Sequence, residues 1–462
     1  MNGVTGKGRF EANMRTAKAY GYYGAQRLLK SLVGDTGRVI RSAVYYPAVK
    51  DVGTLADLVN RVSWYLPRSV FSHPEVSIAV DEALLNTNLE DLVPPASQER
   101  YIRKTEHIHL VGSRAVDLSQ ADAIMLWDKG SALAPRVLRH LARLNVVDPT
   151  YYLVIESVTS ERLCAQTLEI GDKERFSELS KENYQGLLDK VGNADNAYVF
   201  GTGPSLDQAT QFDYRGGFRV VCNSIVRNKA MLNHIQPQLL AFADHTFFFS
   251  PCRYAAEFRQ MMLETVRELQ CYVMVQDFQV PLLLAHYPEL EKRIIGIPAP
   301  GIWDMRLNEL IGMLLARRGG MLMPVKIPGH GEEYNFPTLD RFYVRLAGSI
   351  MTLFMLPVAS SVCNNIYVVG ADGRKPEEKH LWGYSASSQF GDLMQTIFDT
   401  HPSVFRDSDY MHIYRQYCRE FEELVQYGEA AGKRYYALTP SHIPALAQRL
   451  VSGIGAQTEL VS

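Results

Sequence analysis

The sequence predicts an α/β protein with two domains. A larger C-terminal domain carries a doubly wound, mostly parallel, Rossmann-like sheet, and a smaller α/β domain precedes it. Three observations point there. Short apolar runs alternate with helical patterns in two separate stretches, 76–157 and 197–438. Glycine-rich turns directly follow two of the apolar runs in the second stretch. The chain has 462 residues, more than one ordinary core accommodates.

In the first stretch the strand patterns are VSIAV (76–80), IHLVG (108–112), AIMLW (123–127) and YYLVIE (151–156). Between the last two, Leu133, Val137, Leu138, Leu141 and Leu144 recur at helical spacing. Residues 165–195 are polar, helical in pattern and close on the turn-rich GNADN, as a connection between domains would. In the second stretch the strands read AYVFG, RVVCN, LLAFAD, CYVMV, RIIGI, IYVVG and YYAL. The expected division is 1–190 for the N-terminal segment and small domain, 196–445 for the larger domain, and 446–462 for a loosely held tail.

Composition narrows the function. Apolar residues make up 47% and charged residues 21%, the balance of a soluble globular protein. Forty-eight basic against fifty acidic side chains leave a net charge of −2, so nucleic acid is not an expected partner. The six cysteines include no CxxC, and read as reduced thiols. The twelve histidines include no HExxH, so no metal site and no required cofactor are expected. The N-terminus has no apolar stretch of secretory type, which predicts a cytoplasmic protein. The charge-free run Leu346–Ala371 is long enough to cross a bilayer. Pro357, Ser360, Ser361, Asn364 and Asn365 within it argue instead for a buried helix followed by a buried strand. Residues 1–50 hold nine Lys/Arg and two acids, interleaved with aromatic and aliphatic residues. That segment is expected to be a basic helix with a solvated face. It could also attach the protein peripherally to an anionic membrane at its inner face.

Ligands of open parallel sheets bind at the carboxyl ends of strands, near a topological switch point. Four strand ends here carry candidates. In Gly201-Thr202-Gly203-Pro204-Ser205 the glycines permit close approach to backbone, and Pro204 suits a first helical position with Ser205 beside free amide donors. The turn lacks the third glycine of the dinucleotide fingerprint and the GK[ST] of the P-loop. Asn223 closes the second strand and Asp244 the third. Gly370-Ala371-Asp372-Gly373-Arg374 closes a later one, where Arg374 could meet a phosphate. His380 follows. Further on, His412 and Tyr414 open a helical pattern.

In their order along residues 196–445 these motifs resemble the bacterial sialyltransferases of glycosyltransferase family 42. The resemblance extends to motility accessory factors and hydroxymethylpterin diphosphokinase-like domains. It rests on Gly201–Leu206, on Cys222-Asn223, on Arg345-Leu346-Ala347-Gly348-Ser349, on Gly370-Ala371-Asp372 and on Leu438-Thr439-Pro440-Ser441. Thr202 stands where the family has a donor-contacting asparagine, and Arg374 where it has a tyrosine. Residues 1–190 have no counterpart in the small family members.

The resemblance implies a Rossmann-like fold of the GT-A variant and a glycosyltransferase that needs no cofactor. It would transfer a keto-sugar of the sialic acid or Kdo kind from a CMP-sugar to a glycan or lipid-linked glycan. Gly201, Thr202, Gly203, Pro204, Ser205, Asn223, Asp244, Arg345, Gly348, Ser349, Gly370 and Asp372 would then hold the donor. His412 would take the acceptor's proton, with His380, Arg374 and Tyr414 around the leaving phosphate. Two rival readings stand beside it. One is a pterin diphosphokinase, which needs clustered acids near the glycine turn. The other is a non-catalytic nucleotide-binding module.

Overall fold

The computed structural model describes residues 38–102, 104–128, 130, 137, 139–151, 156–300, 334–374, 385–403 and 410–451, apart from the side chains of 386 and 410–412. It is an α/β protein with two all-parallel sheets of five and seven strands.

The first sheet is built from β1 (Ser42–Val49), β2 (Glu75–Val80), β3 (Ile108–Gly112), β4 (Ala123–Leu126) and β5 (Leu144–Val146), in spatial order β3-β2-β1-β4-β5. Its central strand lies inside the segment expected to be a basic helix. Alternate burial of Ala43, Tyr45 and Val49 shows why residues 42–49 extend instead. Two of that segment's cations are engaged in ion pairs, Arg38 with Asp122 at 2.6 Å and Arg41 with Glu169 at 2.6 Å. Residues 1–37, which carry most of the basic charge, lie outside the described residues.

A second correction concerns the helical repeat expected to run through Leu144: Leu144–Val146 is a strand, and Leu144 pairs with Ile124. Of the strand pattern expected at 151–156, residues 152–155 lie outside the described residues, while Tyr151 is in no strand and Glu156 is helical. Three residues are too few for periodicity to separate a last helical turn from a short strand.

Helix α1 (Val52–Tyr65) follows β1, capped by the Asp51 carboxylate, which accepts from Thr54 N at 2.8 Å. After the first sheet come α2 (Glu156–Gln166) and α3 (Ile170–Val191). The expected connection at 165–195 is thus largely α3, and it belongs to the second sheet. Asn183 Nδ2 donates to Ile294 O at 2.7 Å, and Gly296 N donates to Ser180 Oγ at 3.0 Å.

The second sheet takes β6 (Asn196–Phe200), β7 (Phe218–Cys222), β8 (Leu239–Ala241), β9 (Tyr272–Gln276), β10 (Ile294–Ile297), β11 (Asn365–Val369) and β12 (Arg434–Ala437) in the order β10-β9-β8-β7-β6-β11-β12. Most of its strand residues are buried, as a sheet covered on both faces requires. One face packs against α4 (Arg253–Leu269) and an aromatic cluster that includes Phe242, Phe248 and Phe258. The other packs against α5 (Leu356–Val362), with the π-turn Met351–Met355 before it, and α6 (Tyr410–Ala430). The charge-free run is therefore a buried helix followed by β11, as its composition indicated. No helix among the described residues is long and apolar enough to cross a membrane. The expected tail also folds in part: Pro444–Ala447 is helical, and Val451 N donates to Ala437 O at 3.0 Å on the β12 edge.

Side chains of α1 and α2 fill the junction of the two sheets. Trp64 Nε1 donates to Phe249 O at 2.5 Å, and its ring stacks on His286 with centroids 4.3 Å apart. The buried Arg259 guanidinium lies 4.0 Å from the Trp64 ring centroid and 2.5 Å from Glu99. Arg61 Nη1 meets the buried Glu156 at 2.5 Å, and its Nη2 donates to Thr400 O at 3.2 Å. Buried charges of this kind persist only when paired.

Candidate functional site at the switch point

The strand order reverses between β6 and β11, the place where parallel sheets of this kind bind ligands. Along the carboxyl edge, neighbouring strand ends present 370–374, then 201–205, then Asn223, then Asp244 and His245, then Gln276 to Gln279. Helices that lead into a parallel strand run antiparallel to it, so they bring their N-termini to the same edge. Ser349 and Met351 come there ahead of β11, and the first turns of α6 come there ahead of β12.

The two glycine turns close on each other. Gly201 N donates to Val369 O and Gly203 N to Gly370 O, both at 2.8 Å. A Cβ on Gly201 would stand 2.5 Å from Gly370 O, and one on Gly203 2.2 Å from Asp372 Oδ2. These glycines are required by the contact between strand ends and by an internal carboxylate.

The amide donors expected to be free at Ser205 are in use. Ser205 N donates to the Asp372 carboxylate at 3.1 Å and Ser205 Oγ to Asp372 Oδ2 at 2.8 Å. The helical turn Pro204–Gln211, with Pro204 in its first turn, is thus capped by a carboxylate from the neighbouring strand end. Burial pushes the Asp372 carboxyl above the usual range, and its bonds from Ser205 pull the other way. A phosphate at this turn would have to displace that carboxylate. Thr202 is buried, and its carbonyl accepts from Ser385 N at 2.9 Å.

Asn223 is the strained member of the edge. Its φ is 52°, left-handed backbone that non-glycine residues rarely adopt. Its Oδ1 is buried and accepts no hydrogen bond from any described residue. Strain together with an unsatisfied acceptor at a strand end makes Asn223 a candidate for ligand contact.

Asp244 caps the short helix His245–Phe248, Oδ1 accepting from Thr246 N and Phe247 N at 2.9 Å each. Although it is exposed to solvent, the protein around it pushes its carboxyl above the usual range. His245 beside it contacts Glu161 of α2 at 2.7 Å. The sequence shows Asp244-His245 at a strand end, but a partner 84 positions away leaves no local signal.

Arg345, Gly348 and Ser349 stand at the N-terminal side of the helix that leads into β11. Arg345 pairs with Glu423 at 3.3 Å and lies over the Tyr334 ring at 4.2 Å, while Gly348 N donates to Glu420 Oε2 at 2.9 Å. α6, which supplies both acids, also supplies Tyr414, whose hydroxyl accepts from Arg374 N at 3.0 Å. Burial pushes the Tyr414 phenol up to about 12, so it is a hydrogen-bonding group rather than a base. The Arg374 side chain is buried. His412 belongs to the first turn of α6, but its side chain lies outside the described residues, as does all of His380.

The described residues contain no group of His, Cys, Asp or Glu that could hold a metal ion. A cavity of about 290 Å³ lies between Arg227, Arg253 and Glu257 on one side and Phe390 and Asp392 on the other. Arg227 there is paired with Asp392 at 2.9 Å.

No family model matches the chain, and no curated protein matches it. Among solved structures, the monofunctional alpha-2,3-sialyltransferase Cst-I of Campylobacter jejuni is similar at 13% identity with a TM-score of 0.30, covering 58% of this chain and 92% of that one.

Proposed function

We propose that the chain is a glycosyltransferase that transfers a keto-sugar of the sialic acid or Kdo kind from a CMP-activated donor to a hydroxyl of a glycan or lipid-linked glycan. The observation that carries this reading is the switch-point edge itself, with the strained Asn223 offering an unused carboxamide oxygen between the Gly201 turn and Asp244. An acceptor oxygen in that position suits the exocyclic amine of a cytosine or a ribose hydroxyl. A CMP-sugar releases a nucleoside monophosphate, whose single phosphate can be met by fixed donors without a metal. Arg374 and Tyr414, on the β11 side, are the residues assigned to it. The family resemblance names His412 and His380 for proton transfer and for the leaving phosphate.

A thermal-shift panel tests the proposal. CMP or CDP is expected to raise the melting temperature more than UDP, GDP, ATP or a pterin. At 100 times its dissociation constant a ligand adds about 2.7 kcal/mol, or roughly 2–4 °C per kcal/mol for a domain of this size. Shifts with ATP and none with cytidine nucleotides would reject it.

A further inference from the structure

Residues 385–393 tie together two strand ends of the switch-point edge. On the β6 side, Ser385 N donates to Thr202 O at 2.9 Å, and the hydroxyls of Ser385 and Ser387 donate to Asp207 Oδ1 at 2.7 and 3.1 Å. On the β7 side, Asn228 Nδ2 donates to Ser387 Oγ at 2.9 Å. Arg227 Nη1 donates to Gln389 O and to Asp392 Oδ1, the latter at 2.9 Å. The Arg227 guanidinium also lies 5.3 Å from the Phe390 ring centroid, and that ring meets Tyr254 of α4 edge-on at 5.2 Å. Asp207 and Arg227 are the two fastenings of one segment.

That segment bears on Asn223. A left-handed residue other than glycine persists only where its surroundings over-determine it. Upstream, Cys222 is paired with Ala241 at the end of β7, and its Sγ donates to Phe200 O at 3.4 Å. Downstream, Asn223–Arg227 is a short helical turn in which Ser224, Ile225 and Val226 are buried. Asn228 N donates to Ile225 O at 2.8 Å, and Asn228 Oδ1 caps the helix Lys229–Ile235 by accepting from Met231 N at 3.0 Å. The turn is thus fixed by a strand at one end and by residues 385–393 at the other. The Asn223 carboxamide oxygen accepts none of these bonds.

Resting on the nucleotide site proposed above, we propose that Arg227 and Asp207 are positioning residues for nucleotide binding. Fastened at these two points, residues 385–393 hold the Asn223 turn in the conformation that presents Oδ1. Both residues act through Asn223 rather than by contact with the nucleotide. Once the Arg227 fastening is lost, Asn223 relaxes out of its left-handed backbone, and only a minor fraction of the protein keeps the binding conformation. The apparent affinity falls by that fraction. At the usual cost of one left-handed residue, the loss is about five- to tenfold. Arg227 closes the turn that Asn223 opens, so its loss acts more strongly than that of Asp207.

The test uses the full chain and calorimetric titration with CMP, with melting curves of the empty variants to show that they fold. Arg227→Ala is expected to weaken CMP by the factor just given, and Asp207→Ala by less. Asp207→Asn, which keeps an oxygen acceptor for both serines, should bind as the wild type does. Arg227→Lys keeps the charge without the planar fork; it should fall between wild type and alanine, and it carries the test if the alanine variant does not fold. Asn223→Gly separates positioning from general loosening. Without the side chain there is no Oδ1 to present, so adding an Arg227 substitution to Asn223→Gly should leave CMP affinity unchanged. Wild-type affinity in the Arg227 variants, or an equal loss in the Asn223→Gly background, would overturn the positioning role alone. A wild-type protein that binds no CMP would overturn the nucleotide reading, and this assignment with it.

Discussion

Replacing Asn223 by glycine should make the empty protein more stable and the nucleotide complex weaker. The substitution removes two unfavourable features at once. One is a left-handed φ of 52° on a side-chain-bearing residue, worth of order 1 kcal/mol or more. The other is a buried Oδ1 without a donor, worth about 1–3 kcal/mol. Asparagine tolerates left-handed backbone better than most residues, so relief of about 1–3 kcal/mol in total is expected. That corresponds to a melting temperature higher by roughly 2–12 °C. If Oδ1 receives a donor from the nucleotide, its loss should weaken CMP about tenfold, the equivalent of about 1.4 kcal/mol. Melting curves of both proteins, empty and across a CMP titration, read both effects in one assay. A destabilised empty variant would show that neither feature carries a cost. An undiminished CMP response would show that the orphaned oxygen faces no ligand.

Two further perturbations test the architecture around that edge. Gly203→Ala would place a Cβ 2.2 Å from Asp372 Oδ2 and 2.8 Å from Gly370 O; moving the carboxylate forfeits its bonds from Ser205, so urea unfolding should show a loss of about 2–4 kcal/mol. Gly391→Ala meets nothing within 4 Å and should stay within about 0.5 kcal/mol; equal unfolding midpoints for the two variants would contradict the packing described. At the junction, burial raises the Glu156 carboxyl to about 7, above its unfolded 4.5. Its contribution to stability is thus full below about pH 4.5 and lost as pH rises through about 7. Glu156→Gln stays neutral throughout, so the wild type's stability advantage over it should shrink between pH 5 and pH 8. The ceiling is about 3 kcal/mol at about 1.4 kcal/mol per pKa unit; an advantage that grew with pH would mean that the ionised Glu156–Arg61 pair dominates.

Much of the larger domain was legible in the chain because fully buried parallel strands read as short apolar runs whatever their neighbours. Each of the seven runs from AYVFG to YYAL overlaps a strand of the second sheet. The charge-free run around Pro357 resolves into helix and strand for the same local reason. β1 escaped because Pro47 and two adjacent tyrosines blur its alternation, and only pairing with β2 and β4 on both sides holds it extended. The glycine turns were recognisable as sharp features, and their purpose was not. Whether a bare backbone faces a ligand or another backbone depends on which strands adjoin, and β6 and β11 are 165 residues apart. The same holds for Ser205 with Asp372 and for His245 with Glu161. Residue type and local pattern determined the elements and the edge at which chemistry belongs. Partners brought together by a crossover leave no mark on either segment, so tertiary structure alone decided which amides are occupied, which carboxylate is internal and which histidine is oriented.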